Sequence, residues 1–558
     1  MSLLSVEDLS VHFHSRNGIT KAVRNLSFVL DYGETLAIVG ESGSGKSVAS
    51  YSLLDLIPKP PGKIEAGKAI FNGSDLLTLE TLDLQKIRGN EIAIIFQDPM
   101  SSLNPYLTIG EQLIEPIVYH KKKSRREAKG LALSMLTEVG LNGPDNKFNC
   151  FPHELSGGMQ QRAMIAMALI TKPKLLICDE PTTALDVTTQ AQIIRLIQKI
   201  QKKYKIAVVF ISHDLGVVAG IADKIIVMKD GEAVESGITN DIFYNPKTQY
   251  TKKLLSSIPR GEKREKNYTS KKVLLEVNNL VKYYPVNQDT FSWQTFKLFS
   301  AKNTEKRYVK AVDDVSFDIK RGEIFGVVGE SGCGKSSLGK TILQLTSLDE
   351  GQIYFSDKNL VNLPLSEKIS MRKHMQMIFQ DPYSSLNPRM TVFDTLAEPL
   401  LYHSLATSTN IQKHVLSLID DIGLPRISAK KYPHEFSGGQ RQRIAIGRAI
   451  ATKPEFIIAD EPVSALDVTV QAQILELILN LTEKHNMTMM FISHDLSVVR
   501  YLADRIAVMQ HGKIVELNTT SEIFSSASEK YTKELLGAIP LADPKEEKKR
   551  QNTIMSDR

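Results

Sequence analysis

Hydrophobic and polar positions follow two different periods along this chain. Short apolar runs rich in β-branched residues, such as TLAIVG, KLLICD and AVVFIS, predict buried strands, and the stretches between them carry apolar residues at helical spacing. Strands that alternate with helices predict βαβ units around a mostly parallel sheet. We therefore expect an α/β protein whose ligand-binding residues lie at the ends of the strands.

The same pattern occurs twice. GESGSGKS at residues 40–47 returns as GESGCGKS at 329–336, and PHELSGG, DEPTTALDV and FISHDL are matched later by PHEFSGG, DEPVSALDV and a second FISHDL. Such a repeat predicts two copies of one domain in series. The expected divisions are a first domain at 1–259, a charged linker at 260–272, a second domain at 273–541 and a charged tail at 542–558. An insertion in the second copy, Val286 to Tyr308, is expected to form a surface hairpin or loop, with a partner site as the alternative.

Composition narrows the classes of function. Of the 558 residues 42% are hydrophobic and 24% charged, which is typical of a globular enzyme, and the net charge of +6 is small for a dedicated nucleic-acid binder. No apolar stretch approaches the roughly 18 residues of a membrane span, and Glu7 and Asp8 stand where a signal peptide is apolar. Cys150, Cys178 and Cys333 form neither a disulfide framework nor a metal-ligand spacing. A reducing cytoplasm is the expected location.

A phosphate-binding loop, GxxxxGK[ST], opens each copy between a predicted strand and a predicted helix. The glycines let backbone N–H groups approach phosphates, the lysine neutralises β and γ charge, and the hydroxyl can ligate Mg²⁺. The residues are Gly40, Gly43, Gly45, Lys46 and Ser47 in the first copy and Gly329, Gly332, Gly334, Lys335 and Ser336 in the second.

Two adjacent acids end a later apolar strand in each copy, in LLICDE and FIIADE. Buried strand ends rarely carry paired carboxylates, so a solvated strand end is the weaker interpretation beside a phosphate loop. Asp179 and Asp460 are expected to hold Mg²⁺, and Glu180 and Glu461 to polarise the attacking water as general bases. A histidine follows each FIS strand, His213 or His494, and its imidazole can contact the γ-phosphate.

A second anion site is predicted at LSGGMQQR and FSGGQRQR, where a polar cluster opens a helix. The serine and the glycine amides at the positive end of the helix suit a phosphate, although the serine alone is also an ordinary N-cap. The residues are Ser156, Gly157 and Gly158 in the first copy and Ser437, Gly438 and Gly439 in the second. Because each copy already has a phosphate cradle, the second anion site is interpreted as serving the other copy's nucleotide.

The order of the motifs resembles that of the ATP-binding-cassette ATPases: phosphate loop, QDP segment, SGG cluster, DE strand and ISH strand. The set occurs once in each copy, and the two copies together span nearly the whole chain. The resemblance implies two tandem cassettes, each a P-loop parallel-sheet core with an antiparallel β subdomain and a helical subdomain. It also implies that the SGG signature of one cassette completes the ATP site of the other, as an intramolecular dimer of the two cassettes.

The resemblance extends to single residues of two ATP and Mg²⁺ sites. The first site is expected to combine Lys46, Ser47, Gln97, Asp179, Glu180 and His213 with Ser437, Gly438 and Gly439. The second is expected to combine Lys335, Ser336, Gln380, Asp460, Glu461 and His494 with Ser156, Gly157 and Gly158. Gln97 and Gln380 would sense the γ-phosphate or Mg²⁺. Phe13 and Tyr284 stand where the family stacks an aromatic ring on adenine, although each could also be a strand core residue.

The chain departs from the family pattern at two positions, Met159 in place of glutamine and Cys333 in place of serine. Neither removes a charge that catalysis needs. Because no cysteine follows Cys333, the C-terminal iron–sulfur cluster of some related ATPases is not expected.

QDPxxSLNP, SALDVxxQAQI and the YTKxLL endings narrow the resemblance to the oligopeptide, dipeptide and nickel importers of bacteria. The fusion of two cassettes is similar to the ATPases of the Yej-type peptide and microcin C importers and of the glutathione importers. This implies an ATPase that energises two separate membrane permease subunits and, through them, a substrate-binding protein, as a peripheral protein on the cytoplasmic face of the cell membrane. The cargo stays open between peptides, glutathione and nickel.

Two other classes of tandem cassette protein are alternatives. Ribosome-associated translation factors have a long charged helical linker, and residues 260–272 are too few to form it. DNA-repair cassettes carry zinc-binding cysteines, which three isolated cysteines cannot supply.

Overall fold

The structure is a computed structural model that describes residues 2–16, 18–183, 185–257, 272–285, 308–464 and 466–556. Its contacts divide the chain into two compact units. The first comprises Met1–Ile258, Asp467–Thr469 and Pro540–Arg558, and the second comprises Pro259–Leu466 and Val470–Ile539. Each unit contains one copy of the sequence repeat.

The first unit contains ten strands and eleven α-helices within the described part of residues 2–257. The strands are β1 (Ser2–Ser15), β2 (Gly18–Asp31), β3 (Thr35–Val39), β4 (Gly62–Phe71), β5 (Ser74–Asp75), β6 (Ile92–Ile95), β7 (Leu175–Asp179), β8 (Ala207–Ser212), β9 (Lys224–Lys229) and β10 (Glu232–Ile238). The helices are α1 (Lys46–Leu53), α2 (Thr81–Ile87), α3 (Pro99–Ser102), α4 (Ile109–Lys121), α5 (Arg125–Glu138), α6 (Pro144–Phe148), α7 (Gly157–Leu169), α8 (Val187–Tyr204), α9 (Leu215–Ile221), α10 (Thr239–Tyr244) and α11 (Gln249–Ser256), with a 3-10 turn at Pro152–Glu154.

These strands form two sheets. A four-stranded antiparallel sheet has the order β2-β1-β4-β5, and a six-stranded sheet has the order β10-β9-β3-β8-β7-β6. In the larger sheet β6, β7, β8, β3 and β9 are parallel and β10 is an antiparallel edge strand. The parallel strands therefore end together at one edge, where β3 leads into the phosphate loop and β7 into the paired acids.

Alternate side chains of β3 point into two different hydrophobic cores of the first unit. Leu36 and Ile38 pack into the core shared with the antiparallel sheet and α1, whereas Ala37 and Val39 pack into the core under helices α4, α5 and α7. Both faces of the parallel sheet are covered, which explains why its strands are continuously apolar in sequence.

The second unit repeats this architecture. Its strands are β11 (Val273–Pro285), β12 (Tyr308–Lys320), β13 (Ile324–Val328), β14 (Glu350–Phe355), β15 (Lys358–Asn359), β16 (Met375–Ile378), β17 (Phe456–Asp460), β18 (Thr488–Ser493), β19 (Arg505–Gln510) and β20 (Lys513–Thr519). Its helices are α12 (Lys335–Ile342), α13 (Leu365–Met371), α14 (Pro382–Ser385), α15 (Val392–Tyr402), α16 (Ile411–Asp421), α17 (Gly438–Ile450), α18 (Val468–His485), α19 (Leu496–Leu502), α20 (Thr520–Ser526) and α21 (Lys530–Ala538), with 3-10 turns at Arg426–Lys430 and Pro433–Glu435. The sheet orders are β12-β11-β14-β15 and β16-β17-β18-β13-β19-β20.

The expected α/β architecture of a parallel core with an antiparallel sheet and a helical region is confirmed in both copies. Nearly all of the predicted linker 260–272, and the insertion from Val286 up to residue 307, lie outside the described residues. The predicted charged tail contains a last helix, α22 (Pro544–Ser556), which belongs to the first unit. No helix in the described part of the chain is long and apolar enough to cross a membrane.

Candidate active sites

The phosphate loops are shaped by glycines in the left-handed region of backbone space. Gly45 has φ 96° and Gly334 has φ 108°. A Cβ at Gly45 would collide with the carbonyl oxygen of Ala22, and one at Gly334 with that of Ala311. Both glycines cap a helix, α1 or α12, and only glycine fits the space and the φ angle. The expected cradles thus have the backbone form that phosphate binding needs.

The lysine of each loop is buried and held by main-chain carbonyls. Lys46 Nζ donates hydrogen bonds to Gly40 O at 2.9 Å and Glu41 O at 2.8 Å. Lys335 Nζ donates in the same way to Gly329 O and Glu330 O, both at 2.8 Å. Burial lowers the pKa of Lys46, and the negative charges of Glu180 and Asp179 offset only part of this effect. An ammonium held in this way is already positioned over the loop that it would serve.

A hydroxyl and a carboxylate meet beside each loop. Ser47 Oγ donates to Asp179 Oδ1 at 2.9 Å, and Ser336 Oγ donates to Asp460 Oδ1 at 2.8 Å. Burial raises the pKa of both aspartates. Hard oxygen donors of this kind are the ligands that Mg²⁺ prefers. The serine and aspartate of each copy, which are 132 and 124 residues apart in sequence, therefore fit the expected metal position.

The carboxylate of Glu180 is the centre of a hydrogen-bonded cluster. Gln97 Nε2 donates to Glu180 Oε2 at 2.9 Å, and Thr183 Oγ1 donates to the same oxygen at 3.0 Å. His213 Nδ1 lies 3.2 Å from Glu180 Oε1. The backbone of Glu180 has φ 46°, an unusual value for a residue with a side chain. Strain of this type is typical of residues that are held in place for function.

The second copy repeats the cluster around Glu461. Gln380 Nε2 donates to Glu461 Oε2 at 2.9 Å, and His494 Nδ1 lies 3.1 Å from the same oxygen. Lys335 Nζ lies 4.0 Å from Glu461 Oε1, and the φ of Glu461 is 45°. The glutamine, glutamate and histidine that the sequence predicts for each site are thus brought together within each unit.

Charge and hydrogen bonding keep both glutamates ionised. Burial favours the neutral acid, but the hydrogen bond and charge of His213 and the charge of Lys46 hold the pKa of Glu180 below its ordinary value. His494 and Lys335 have the same effect on the pKa of Glu461. The pKa of each histidine is in turn raised, because the paired glutamate outweighs burial. An ionised carboxylate next to a proton-holding imidazole can accept a hydrogen bond from water.

The two sites differ at one residue that sequence reasoning missed. Tyr51 OH donates to Asp179 Oδ2 at 2.6 Å, one helical turn after Ser47 on α1. Lys340 takes the corresponding place on α12, and its charge acts on Asp460. Helical spacing from the serine was the signal that could have found both residues.

The SGG clusters open helices α7 and α17, as predicted, but their caps differ. Ser437 Oγ accepts from the backbone N–H of Gln440, whose side chain accepts from the Ser437 N–H, forming a capping box. In the described part of the chain, the Ser156 side chain accepts no cap hydrogen bond. Met159 stands at the position that glutamine occupies in the second copy. A Cβ at Gly158 would lie 2.9 Å from Thr189 Cγ2, so the Thr189 side chain would have to move to admit a side chain there.

The two aromatic candidates for adenine lie on equivalent strands in different surroundings. Phe13, on β1, is partly buried against the core of the first unit. Tyr284, on β11, has Lys282 Nζ 5.3 Å from its ring centroid. Stacking of either ring on adenine stays a prediction.

A P-loop before a helix, with a serine–aspartate pair and a glutamate at the ends of parallel strands, defines a nucleotide-binding α/β unit, here present twice. The ABC transporter family profile matches residues 23–183 and 312–464, and the profile of the oligopeptide/dipeptide transporter C-terminal region matches 234–282 and 515–557. The chain belongs to the ABC transporter family, as an ATPase with two cassettes.

Several curated relatives match along the whole chain. The glutathione import ATP-binding protein GsiA of Pectobacterium atrosepticum is 43% identical over 100% of this chain and 92% of the relative, and that of Escherichia coli is 42% identical over the same shares. The peptidoglycan transport ATP-binding protein YejF of Agrobacterium fabrum is 43% identical over 96% of both chains.

Solved structures match single cassettes. A dimeric post-hydrolysis state of an ATP-binding cassette bound to ADP and Pi is 26% identical, covering 44% of this chain and 99% of that one with a TM-score of 0.39.

Proposed function

We propose that the chain is the ATP-hydrolysing subunit of an importer for peptides or peptide-like compounds, and that it energises separate permease subunits through two composite ATP sites. The observation that carries the proposal is the duplicated cluster of glutamate, glutamine and histidine beside a lysine and a serine–aspartate pair. The relatives named for glutathione import and peptidoglycan transport, together with the oligopeptide/dipeptide C-terminal region, support a peptide-like cargo.

The residues present fit ATP with Mg²⁺. A Cβ would fill the turn at Gly45, and the buried hydroxyl of Ser44 in the same loop has no hydrogen-bond partner among the described residues. Ser47 and Asp179 would hold the metal in the first site, and Ser336 and Asp460 in the second. Mg²⁺ bound there would supply positive charge to the β- and γ-phosphates.

Glu180 and Glu461 would act on the attacking water. Each ionised carboxylate accepts a hydrogen bond from a glutamine and faces a histidine. The glutamate would orient water for in-line attack on the γ-phosphorus and take up its proton, and the products would be ADP and inorganic phosphate. The imidazole of His213 or His494 would hold the carboxylate in place and face the γ-phosphate.

Each SGG helix would serve the nucleotide of the other cassette. Ser437, Gly438 and Gly439 would complete the site of Lys46, and Ser156, Gly157 and Gly158 that of Lys335. The family resemblance supports this crossed pairing, as does the presence of a phosphate loop in each unit, because the SGG helix end would be a second anion site in a cassette that already has one.

The surface beside Gln97 suits a short helix from a permease. A cavity of about 250 Å³ lies between the end of β6, α4 and α7, and is lined by Leu56, Phe96, Pro116 and Met164 among others. Phe96 is 36% exposed and directly precedes Gln97, which donates to Glu180. An apolar side chain bound in this groove would therefore contact Phe96. Such a contact could be transmitted through Gln97 to Glu180, the candidate base.

In the second unit an exposed phenylalanine likewise precedes the glutamine that contacts the candidate base. Phe379 is 36% exposed and directly precedes Gln380, which donates to Glu461. By analogy with the first unit, the surface around Phe379 would bind a second permease subunit, so that each cassette would serve one permease. ATP binding and release would then be transmitted to the permeases as a change between inward and outward access.

A charge placed in the first groove tests this coupling. Leu56 lines the cavity and is 40% exposed, so Leu56→Arg should fold, keep basal ATPase activity, and abolish both peptide uptake and the stimulation of ATPase by permeases with a peptide-loaded binding protein. Leu82, 70% exposed on α2 and not in the cavity lining, provides the control Leu82→Arg, which should behave as the unmodified chain. Normal transport by Leu56→Arg, or purification of the chain with ribosomes and without a permease, would contradict the proposal.

A further inference from the structure

Two histidines and a glutamate, none of them part of the phosphate loop, converge on the surface of the first antiparallel sheet. In the described part of the chain, His12, His14 and Glu65 form a group whose ligand atoms all lie within 4.8 Å of one another. His14 Nε2 and Glu65 Oε1 are hydrogen-bonded at 2.8 Å. The side chains of His14 and Glu65 are 43% and 26% exposed, so an ion could reach them from solvent.

Strand register produces this convergence. His12 and His14 are two residues apart on β1, so both project from one face of the sheet, and Phe13 between them projects from the other. Strand β4 runs antiparallel, with His12 opposite Lys63 and Val11 opposite Ile64. A register shift between Ser10 and Val11 leaves Glu65 as an extra residue on β4. This bulge turns the carboxylate towards the histidines.

The set of donors selects a class of metal. Imidazole nitrogens favour Zn²⁺, Cu²⁺ or Ni²⁺, whereas Mg²⁺ and Ca²⁺ prefer oxygen donors. Two ligands bound to one Zn²⁺ lie at most about 4.4 Å apart, since each bond is roughly 2.0 to 2.2 Å long. The three ligand atoms already lie within 4.8 Å of one another, so small side-chain rotations would bring them within that limit.

The repeat shows that the shared fold does not require these histidines. Phe13 corresponds to Tyr284, so Tyr283 and Pro285 take the places of His12 and His14 in the second copy. There Asp349 accepts from the backbone N–H of Tyr283 and pairs with Lys282. An acidic residue is thus retained directly before the neighbouring strand β14 of the second copy, but both imidazoles are replaced.

We propose that His12, His14 and Glu65 bind one divalent transition-metal ion of the Zn²⁺, Cu²⁺ or Ni²⁺ type. The ion links β1, through the two histidines that flank Phe13, to Glu65 on β4, and it stabilises the first antiparallel sheet. Lys63 opposes binding, because its Nζ lies 2.8 Å from Glu65 Oε2 and competes for the carboxylate.

Titration of the full-length, tag-free and nucleotide-free chain with ZnCl₂ tests the site. We expect saturable binding of one ion per chain, and an electron paramagnetic resonance spectrum of the Cu²⁺ form that shows coupling to two imidazole nitrogens. His12→Asn and His14→Gln should each weaken Zn²⁺ binding by at least about tenfold. Lys63→Ala should tighten it by about two- to fivefold, since a competing surface ion pair is removed.

Two control variants separate this site from other donors. His414→Gln changes an exposed histidine of the second unit, and Cys150→Ser removes a partly exposed thiol, and both should bind Zn²⁺ as the unmodified chain does. Three results would overturn the proposal: absence of saturable binding, unchanged affinity in His12→Asn and His14→Gln, or loss of binding in either control. Circular dichroism of each variant checks that the chain remains folded.

Discussion

At the scale of single residues, the two glutamates at the strand ends carry the proposed chemistry. Glu180→Gln combined with Glu461→Gln keeps the shape and the hydrogen bond from each glutamine but removes the base. Since a positioned general base contributes roughly 10²- to 10⁴-fold, we expect ATP hydrolysis to fall by at least about 100-fold while ATP binding is retained. Steady-state phosphate release and equilibrium binding of a fluorescent ATP analogue measure the two quantities.

Glu115 offers a matched control for that substitution. It is an exposed glutamate on α4, so Glu115→Gln should hydrolyse ATP at the normal rate. Hydrolysis by the double variant at the rate of this control would disprove the assignment of the bases.

Some site residues could be predicted from local sequence motifs, and others are recognised only from their contacts in the folded chain. Lys46, Ser47, Asp179 and Glu180 were predicted because their motifs are local and each residue type has a specific chemistry beside phosphate. Tyr51 was not, since a tyrosine on an amphipathic helix is usually a packing residue and only the folded chain brings its hydroxyl to Asp179. The histidines of β1 were missed for a similar reason, because their partner Glu65 is 51 residues away from His14 and meets it only through the sheet register.

At the scale of elements, the caps of α7 and α17 show how one substitution changes a helix end. Gln440 completes a capping box with Ser437, and Met159 cannot do so with Ser156. Met159→Gln should therefore raise the free energy of unfolding by about 0.5 to 1 kcal/mol, and Gln440→Met should lower it by a similar amount. Chemical denaturation of both variants measures the change, and equal shifts of the same sign would contradict this account of the caps.

The elements themselves were largely predictable. Strands β3, β7 and β8 are buried on both faces, so their apolar runs stand out in the sequence. From the sequence, Met159 was expected to have little effect because it removes no catalytic charge. The missing capping box at the start of α7 shows that Met159 does change the helix end. The helix α22 was not expected, because a charged terminal segment gives a weak helical pattern on its own and its place in the first unit depends on tertiary contacts.

At the scale of the whole molecule, the crossed pairing of the cassettes predicts which site each signature controls. Ser437→Arg should reduce nucleotide trapping at the cassette that holds Lys46, and Ser156→Arg at the cassette that holds Lys335, because a bulky cation would occupy the space for phosphate. A photoreactive ATP analogue, followed by proteolysis between the cassettes, locates the trapped nucleotide. Loss of labelling on the cassette that carries the substitution, with normal labelling of the other, would refute the pairing.

The assignment of the last helix to the first unit has a consequence for synthesis. Residues 540–558 belong to the unit whose main segment is Met1–Ile258, and Tyr244 on α10 donates a hydrogen bond to Asp543. A ribosome makes residues 259–539 in between, which takes roughly 14 to 56 s at about 5 to 20 residues per second. During that time α22 is absent, so the surface of α10 that it contacts stays open to solvent on the nascent first cassette until the final residues emerge.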